Sequence, residues 1–287
     1  MFSEFESQIN SNGIKNIAGD LVANIGFFDE DDFPIGWDWY DMSFYYGVEV
    51  APLSFNNNAV DLVVNADGKI GDTPKINWFP ENTEYVEFIN EQEIVEENRK
   101  YDEDYKKGLG LNSIYLGSKL PKGYLEEESL AITDAESYFL HSFDTYLNLN
   151  GIKTNSIFEV DRDNISDHWV NYKVIASHTS KPFSELVKWA NKESDNFYTE
   201  MMLKTLAAEE HGIPGTFENG IKEVRTCVAE QGLDTKLVKM NDGSGLAMGN
   251  YTTTGNISTL LYSMKSHNEW DVFYDSFPVA GIDGSIA

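Results

Sequence analysis

Ser184-Glu-Leu-Val-Lys-Trp-Ala-Asn-Lys-Glu-Ser-Asp-Asn-Phe-Tyr-Thr-Glu-Met-Met-Leu-Lys-Thr-Leu206 is the stretch on which the reading of this chain turns. Leu186, Val187 and Ala190 recur at helical spacing, and Phe197, Met201, Leu203 and Leu206 do so again further on. Between these apolar faces lies Lys192-Glu-Ser-Asp-Asn196, a polar break too short for a linker. The pattern predicts two helices meeting at a corner, with Ser194 and Asn196 displayed at the junction. A Ser or Asn at a helix start has an ordinary explanation, because its side-chain oxygen accepts from the free N–H groups of the first turn. Ser-x-Asn also stands at Ser54-Phe-Asn56 and Ser266-His-Asn268, so the tripeptide alone decides nothing.

Composition narrows the field around that corner. Acidic side chains number 48 against 21 basic ones, a net charge of −27, and such a surface repels nucleic acid and anionic lipid headgroups. Hydrophobic residues make up 41%, with 17 Phe, 15 Tyr and 6 Trp, which predicts a packed globular chain rather than disorder. The 287 residues suffice for two domains, or for one core with an insertion. The acidic runs Asp29 to Asp32 and Glu91 to Asp104 read as solvated faces. Cys227, the single cysteine, excludes an intrachain disulfide and is expected as a buried thiol in the amphipathic pattern Ile221 to Val228. No apolar run approaches the roughly 20 residues of a membrane span. The N-terminus lacks the basic start and apolar core of a signal peptide, so the protein is either cytoplasmic or a chain that begins after its export signal.

Along the chain, residues 2 to 9 form a helical pattern ending at Asn12-Gly13, and Ile14 to Ile17 starts a strand. Ala135 to Leu149 is a second helix, followed by Asn150-Gly151-Ile152-Lys153. Gly13 and Gly151 are natural left-handed helix ends, and the shared Asn-Gly-Ile-Lys suggests two similar units packed together. Pro34 to Asp41, Tyr45 to Val50 and Val60 to Val64 belong to a strand-rich stretch, with further strands at Tyr85 to Phe88 and Ser113 to Leu116. After the corner helices, Phe217 to Gln231 is helical, Leu237 to Leu246 reads as a strand entering a glycine-rich turn, and Asn256 caps a helix to Met264. The fold class expected is α+β and multidomain, with a strand-rich region over 1–178 (one or two domains) and a helical region over 179–287.

The five histidines are scattered, without a His-x-x-x-His pair or a Cys/His cluster, so neither a metal nor a cofactor is expected. Glu209-Glu-His211 reads as a solvated helix end. Asp242-Gly-Ser-Gly245 lacks the Lys of a phosphate loop and by itself is a tight turn.

Taken together, Ser194-Asp-Asn-Phe-Tyr-Thr-Glu-Met-Met-Leu-Lys-Thr-Leu-Ala, Asp242-Gly-Ser-Gly-Leu246 and Phe277-Pro-Val-Ala-Gly-Ile-Asp-Gly-Ser285 resemble the D-alanyl-D-alanine carboxypeptidase/endopeptidase family. These are the class C low-molecular-mass penicillin-binding proteins. Gly19-Asp-Leu-Val22, Pro34-Ile-Gly-Trp-Asp-Trp39 and Tyr45-Tyr-Gly47 resemble its accessory region, in the same order from about residue 2 to the last. The resemblance implies part of a β-lactamase-like transpeptidase domain over 179–287, joined to strand-rich accessory domains. It implies a serine-type hydrolase of peptidoglycan stem peptides that works through an acyl-serine, is acylated by β-lactams and resides in the periplasm or at the cell surface. Ser194 would then relay a proton to the departing amine, and Asn196 would hold a substrate amide. Asp195 would support the turn and lie with Asp242, Gly243, Ser244 and Gly245 beside the substrate.

The departures are as informative. No serine has lysine three residues later and no Lys-Thr-Gly occurs, so the nucleophile motif and the carboxylate anchor are both missing from these residues. Their places in the family order fall off either end, as for a chain truncated at both ends. Asn24 replaces an Asp found near the family's substrate pocket, and Ala247-Met248 replaces Ser-Arg. The chain alone is therefore expected not to hydrolyse peptides. The alternatives are a non-catalytic relative that binds wall peptides or a partner protein, and an acidic, aromatic-rich glycan binder. Carboxypeptidase against endopeptidase preference and oligomeric state are left open.

Overall fold

A computed structural model describes residues 1–80, 83–162 and 172–287. Every strand among the described residues lies in the first part: β1 (Leu21–Asn24), β2 (Ala59–Asn65), β3 (Lys75–Phe79), β4 (Glu87–Asn90), β5 (Glu93–Val95), β6 (Tyr105–Lys107), β7 (Ser113–Leu116), β8 (Lys119–Pro121), β9 (Leu125–Ala131) and β10 (Phe158–Asp161). Among the described residues two helices accompany them, α1 (Phe2–Ser11) and α2 (Ala135–Leu149). From residue 183 onward the regular elements are helices: α3 (Phe183–Glu193), α4 (Asn196–His211), α5 (Phe217–Glu230), α6 (Thr254–Met264) and α7 (Trp270–Ser276). Among the described residues the last strand ends at Asp161 and the next helix begins at Phe183. His168 lies outside the described residues.

The core is organised by β2, which pairs antiparallel with β3 and β9. Its residues alternate in burial, and Val60, Leu62 and Val64 point inward, as period-two patterning requires. They meet Ile94, Ile114, Leu116, Leu120, Leu130 and the first turn of α2 in the largest apolar cluster. Tyr138 of α2 is fully buried there, its hydroxyl donating to the Ala59 carbonyl at 3.2 Å. Two small sheets, β4-β7-β6 and β5-β8, close the other side.

The two Asn-Gly-Ile-Lys segments run side by side. Gly13 and Gly151 both adopt left-handed backbone, with φ of 76° and 81°. Asn16 then bridges Lys153 in parallel, and β1 pairs with β10 in continuation of the same register. Ile14, Ile152, Ile9 and Leu147 share one cluster. The repeated unit is therefore helix, left-handed glycine, strand. Where Ile14 to Ile17 was expected to begin a strand, the ladder holds only that bridge before β1.

Four expectations are corrected. Pro34 to Asp41 and Tyr45 to Val50 form turns rather than strands, with short 3-10 segments at Asp41–Ser43 and Tyr45–Gly47. Their N–H groups bond three residues back, as Phe44 does to Asp41 and Gly47 to Phe44, and the rings stack on one another instead of spacing a ladder. Gly47 is required, since a Cβ there would lie 2.3 Å from the Asp41 carbonyl oxygen. Cys227 is exposed, because α5 packs through Phe217, Ile221 and Val224 and its later turns run beyond that contact. The cap of α6 is Thr253, whose hydroxyl accepts from the Asn256 N–H, while the Asn256 side chain instead exchanges hydrogen bonds with the backbone of Asp234. Leu237 ends a 3-10 turn, and only the bridge between Lys239 and Tyr251 remains of the expected strand.

Candidate active site

The corner between α3 and α4 is built as the periodicity predicts, but by a different cap. Ser194 ends α3 in the left-handed conformation, with φ of 57° and ψ of 46°, and is exposed. Asp195, not Ser194 or Asn196, caps α4: its carboxylate accepts from the Tyr198 N–H at 3.1 Å. The same carboxylate accepts from the Trp189 indole at 3.0 Å and from the Asn57 amide at 3.3 Å. Asp195 is thus a turn support, and its oxygens face protein donors.

Asn196 begins α4 and donates its amide N–H to the Tyr46 carbonyl at 2.8 Å, and its Oδ1 accepts from no donor among the described residues. Asn56, Asn57 and Asn58 nearby all have positive φ, a left-handed conformation that Asn adopts more readily than other residues apart from glycine. Asn58 holds this segment by donating to the Glu49 carbonyl and to the Ser54 hydroxyl.

One face of α4 carries three polar residues at four-residue steps, and each secures a different loop. Asn196 holds the 3-10 turn at Tyr46. Glu200, one turn on, is fully buried and accepts from the N–H groups of Gly243 at 2.9 Å and Ser244 at 2.7 Å. Burial pushes its carboxyl up to about 7 against these stabilising hydrogen bonds. Lys204, a further turn on and also fully buried, donates to the Asp31 carbonyl at 2.8 Å and sits 2.7 Å from the Asp29 carboxylate. The Phe28 and Phe217 rings lie on either side of its ammonium, 5.1 and 4.6 Å away.

The Asp242 to Gly245 turn therefore docks on the helix that carries Asn196. Asp242 is buried and engaged on all sides, accepting from the Trp37 indole, the Gly245 and Ala247 N–H groups and the Asn250 amide. Gly243 lies against α4 so closely that a Cβ would stand 3.0 Å from the Thr199 carbonyl oxygen, and Gly245 has φ of 88°. Ser244 is half-buried with its hydroxyl accepting from the Leu246 N–H. So Ser194, Asp195 and Asn196 stand at the start of α4, and the 242–245 turn docks one turn further along, at Thr199, Glu200 and Leu203. Trp37, Tyr46, Asn57, Glu200 and Lys204 complete the arrangement and were not singled out from the sequence. Only Asn56-Asn-Asn58 left a readable trace, since a run of Asn tolerates left-handed backbone. Among the described residues no three His, Cys, Asp or Glu side chains cluster to hold a metal.

Comparison with known proteins gives this arrangement a family. A model of the D-Ala-D-Ala carboxypeptidase 3 (S13) family matches residues 2–287. The chain belongs to that family. It is 26% identical to D-alanyl-D-alanine carboxypeptidase DacB of Haemophilus influenzae over 98% of its own length and 58% of the relative. With the D-alanyl-D-alanine carboxypeptidase of an Actinomadura species it shares 25% identity, covering 96% of this chain and 52% of that one. The crystal structure of penicillin binding protein 4 (dacB) from H. influenzae superposes with a TM-score of 0.80 at 25% identity, covering 99% of this chain and 62% of the other. The same H. influenzae protein has also been solved in complex with a β-lactam. The chain spans between half and three fifths of the length of these relatives. Among the described residues no helix is long and apolar enough to cross a membrane.

Proposed function

We propose that residues 1–287 carry the second-motif side of a serine-type D-Ala-D-Ala peptidase that acts on peptidoglycan stem peptides in the periplasm or at the cell surface. The observation that carries this reading is the corner itself. Ser194 is exposed at a helix junction, and Asn196 is anchored through its N–H with Oδ1 left to accept from a substrate amide. In this reading Ser194 passes a proton to the amine that departs when the acyl-serine forms, and Asn196 holds the substrate backbone. Asp195 and Asp242 act at one remove. Their carboxylates are filled by protein donors, so they fix the turns while Ser244 and the edge of the 242–245 turn face substrate.

These residues hold no Ser-x-x-Lys and no Lys-Thr-Gly, so the chain by itself is acylated by neither peptide nor β-lactam. The test has two parts. Residues 1–287 are incubated with a peptide ending in D-Ala-D-Ala and with a fluorescent penicillin, and neither D-alanine release nor covalent labelling is expected. The reading frame is then extended in both directions in the source genome, and the extended protein is assayed with and without Ser194→Ala. A fall of about 10²-fold or more in D-alanine release supports the relay. Turnover by residues 1–287, or an unchanged rate in the extended Ser194→Ala protein, refutes it. If the frame does not extend, binding of the D-Ala-D-Ala peptide without turnover assigns the chain to the non-catalytic relatives.

A further inference from the structure

Away from the α3–α4 corner, a cleft of about 190 Å³ opens between the aromatic turn at Trp39–Ser43 and the turn that follows β6. Glu49 and Lys107 line it, with Phe33, Trp39, Met42 and Leu109 as apolar walls. At about 30 Å³ per water this volume holds about six waters, or a ligand of roughly six to ten heavy atoms. None of its lining residues belongs to the 194–200 or 242–245 segments.

Two opposite charges face this space without pairing with each other. Glu49 is buried, and one carboxylate oxygen accepts from the Ala135 N–H at the start of α2. That contact explains why a carboxylate stands there, since it answers a free helix N–H. It does not explain a cationic neighbour. The Lys107 ammonium donates to the Ala131 carbonyl at 2.9 Å and to the Thr133 hydroxyl at 3.1 Å, which leaves the third of its protons free. Each group feels the other's charge, yet no ion pair joins them. Burial raises Glu49 to about 7 and lowers Lys107 to about 8, the signature of charges that lack close counter-charges.

We propose that this cleft binds a zwitterionic α-amino acid, its ammonium toward Glu49 and its carboxylate toward Lys107, with a small side chain against Trp39 and Leu109. A lone cation would meet the Lys107 ammonium, and a lone carboxylate would meet Glu49. A zwitterion satisfies both and adds no net charge to a protein of −27. The cleft's size fits glycine or alanine and is too small for a peptide longer than a dipeptide. The proposal is independent of the peptidase reading and survives its failure.

The test is a titration of the 287-residue chain with glycine, D-alanine and L-alanine, followed by amide chemical shifts, with acetate and methylammonium as single-charge controls. The amino acids are expected to saturate with Kd on the order of 1–10 mM, moving the amides of Lys107–Gly110, while the controls bind at least tenfold more weakly. Glu49→Gln keeps an acceptor for the Ala135 N–H, and it and Lys107→Met should each weaken binding tenfold or more. Trp39 is 64% exposed, so Trp39→Ala should keep the wild-type melting temperature and still weaken binding several-fold. No saturation by any amino acid up to about 100 mM overturns the proposal, as does methylammonium or acetate binding as tightly as glycine. Unchanged affinity in Trp39→Ala also overturns it, and this variant decides should the charge variants fail to fold.

Discussion

The strand-rich part and the helical part of this chain bury their apolar residues in different ways. Residues 44–138 close a core of their own, in which Val60, Leu62, Val64, Ile94, Ile114, Leu116, Leu120 and Leu130 touch one another. In residues 183–287 the large buried apolar side chains are Phe197, Leu203 and Phe217. Each packs against the strand-rich part: Phe197 against Val48, Ala59 and Ala131, and the other two around Val50. The outer helix α6 shows Ile257, Leu261 and Tyr262 to solvent, and Met248 is 91% exposed. The helical part is thus held by its neighbour, and buried polar groups do much of the holding. At about 1.5–3 kcal/mol per large side chain, three residues cannot order a hundred-residue region without that neighbour.

The strongest challenge to this contrast is to separate the two parts. Residues 179–287 expressed alone are expected to lack a cooperative thermal transition and to bind ANS, while 1–178 melts cooperatively. A sharp transition in 179–287 would remove the contrast. Next in size is Lys204→Met, which leaves Asp29 beside an apolar side chain and frees the Asp31 carbonyl. Losing one partner of such a pair should lower stability by about 3–5 kcal/mol in urea unfolding. A loss below about 1 kcal/mol would show that Lys204 does not join the parts.

Glu200 sharpens the comparison through pH. Below about 4.5 the group is protonated in both states and contributes no difference. Between about 4.5 and 7 the unfolded chain releases this proton while the folded chain keeps it, so stability falls as pH rises and the loss is complete above about 7. The share of Glu200 is at most about 3 kcal/mol. Glu200→Gln should flatten the slope of urea midpoint against pH in that window without abolishing it, since burial also raises Glu49 and Glu126 to about 7 and raises Glu128 and Glu136. An unaltered slope would place Glu200 in contact with water.

Two smaller effects lie at the corner itself. Asp195→Ala removes the cap of α4 together with the partner of Trp189 and Asn57, and should lower stability by about 1 kcal/mol. Ser194→Gly relaxes a left-handed residue and should raise stability by up to about 1 kcal/mol, while deleting the hydroxyl assigned to proton relay. A variant that is more stable and less active would show that Ser194 is kept for chemistry rather than for folding. A variant that is less stable would show that its side chain has a structural role.

Much of the architecture was legible because it rests on local periodicity. The α3–α4 corner, α2 and its left-handed glycine, β2 and β7 all follow from spacing that a single segment carries. The aromatic turns were not legible as turns. Trp, Tyr and Val favour strands in isolation, and only the packing of Phe44 on Tyr46 and of Gly47 on the Asp41 carbonyl selects the alternative. Cys227 failed for a related reason, since an amphipathic helix shows which face is apolar but not how far the neighbouring surface extends along it.

The sequence by itself determined the family, the order of its motifs and the junction that displays Ser194 and Asn196, because these depend on residues within a few positions of one another. Tertiary structure decided that Asp195 is the cap and that Asp242 faces inward. It also decided that Glu200 and Lys204 are buried beneath loops about 40 and 170 residues away. A buried charge is stable only where its partners converge on it, and for these two groups the partners come from segments that spacing along one helix cannot reveal.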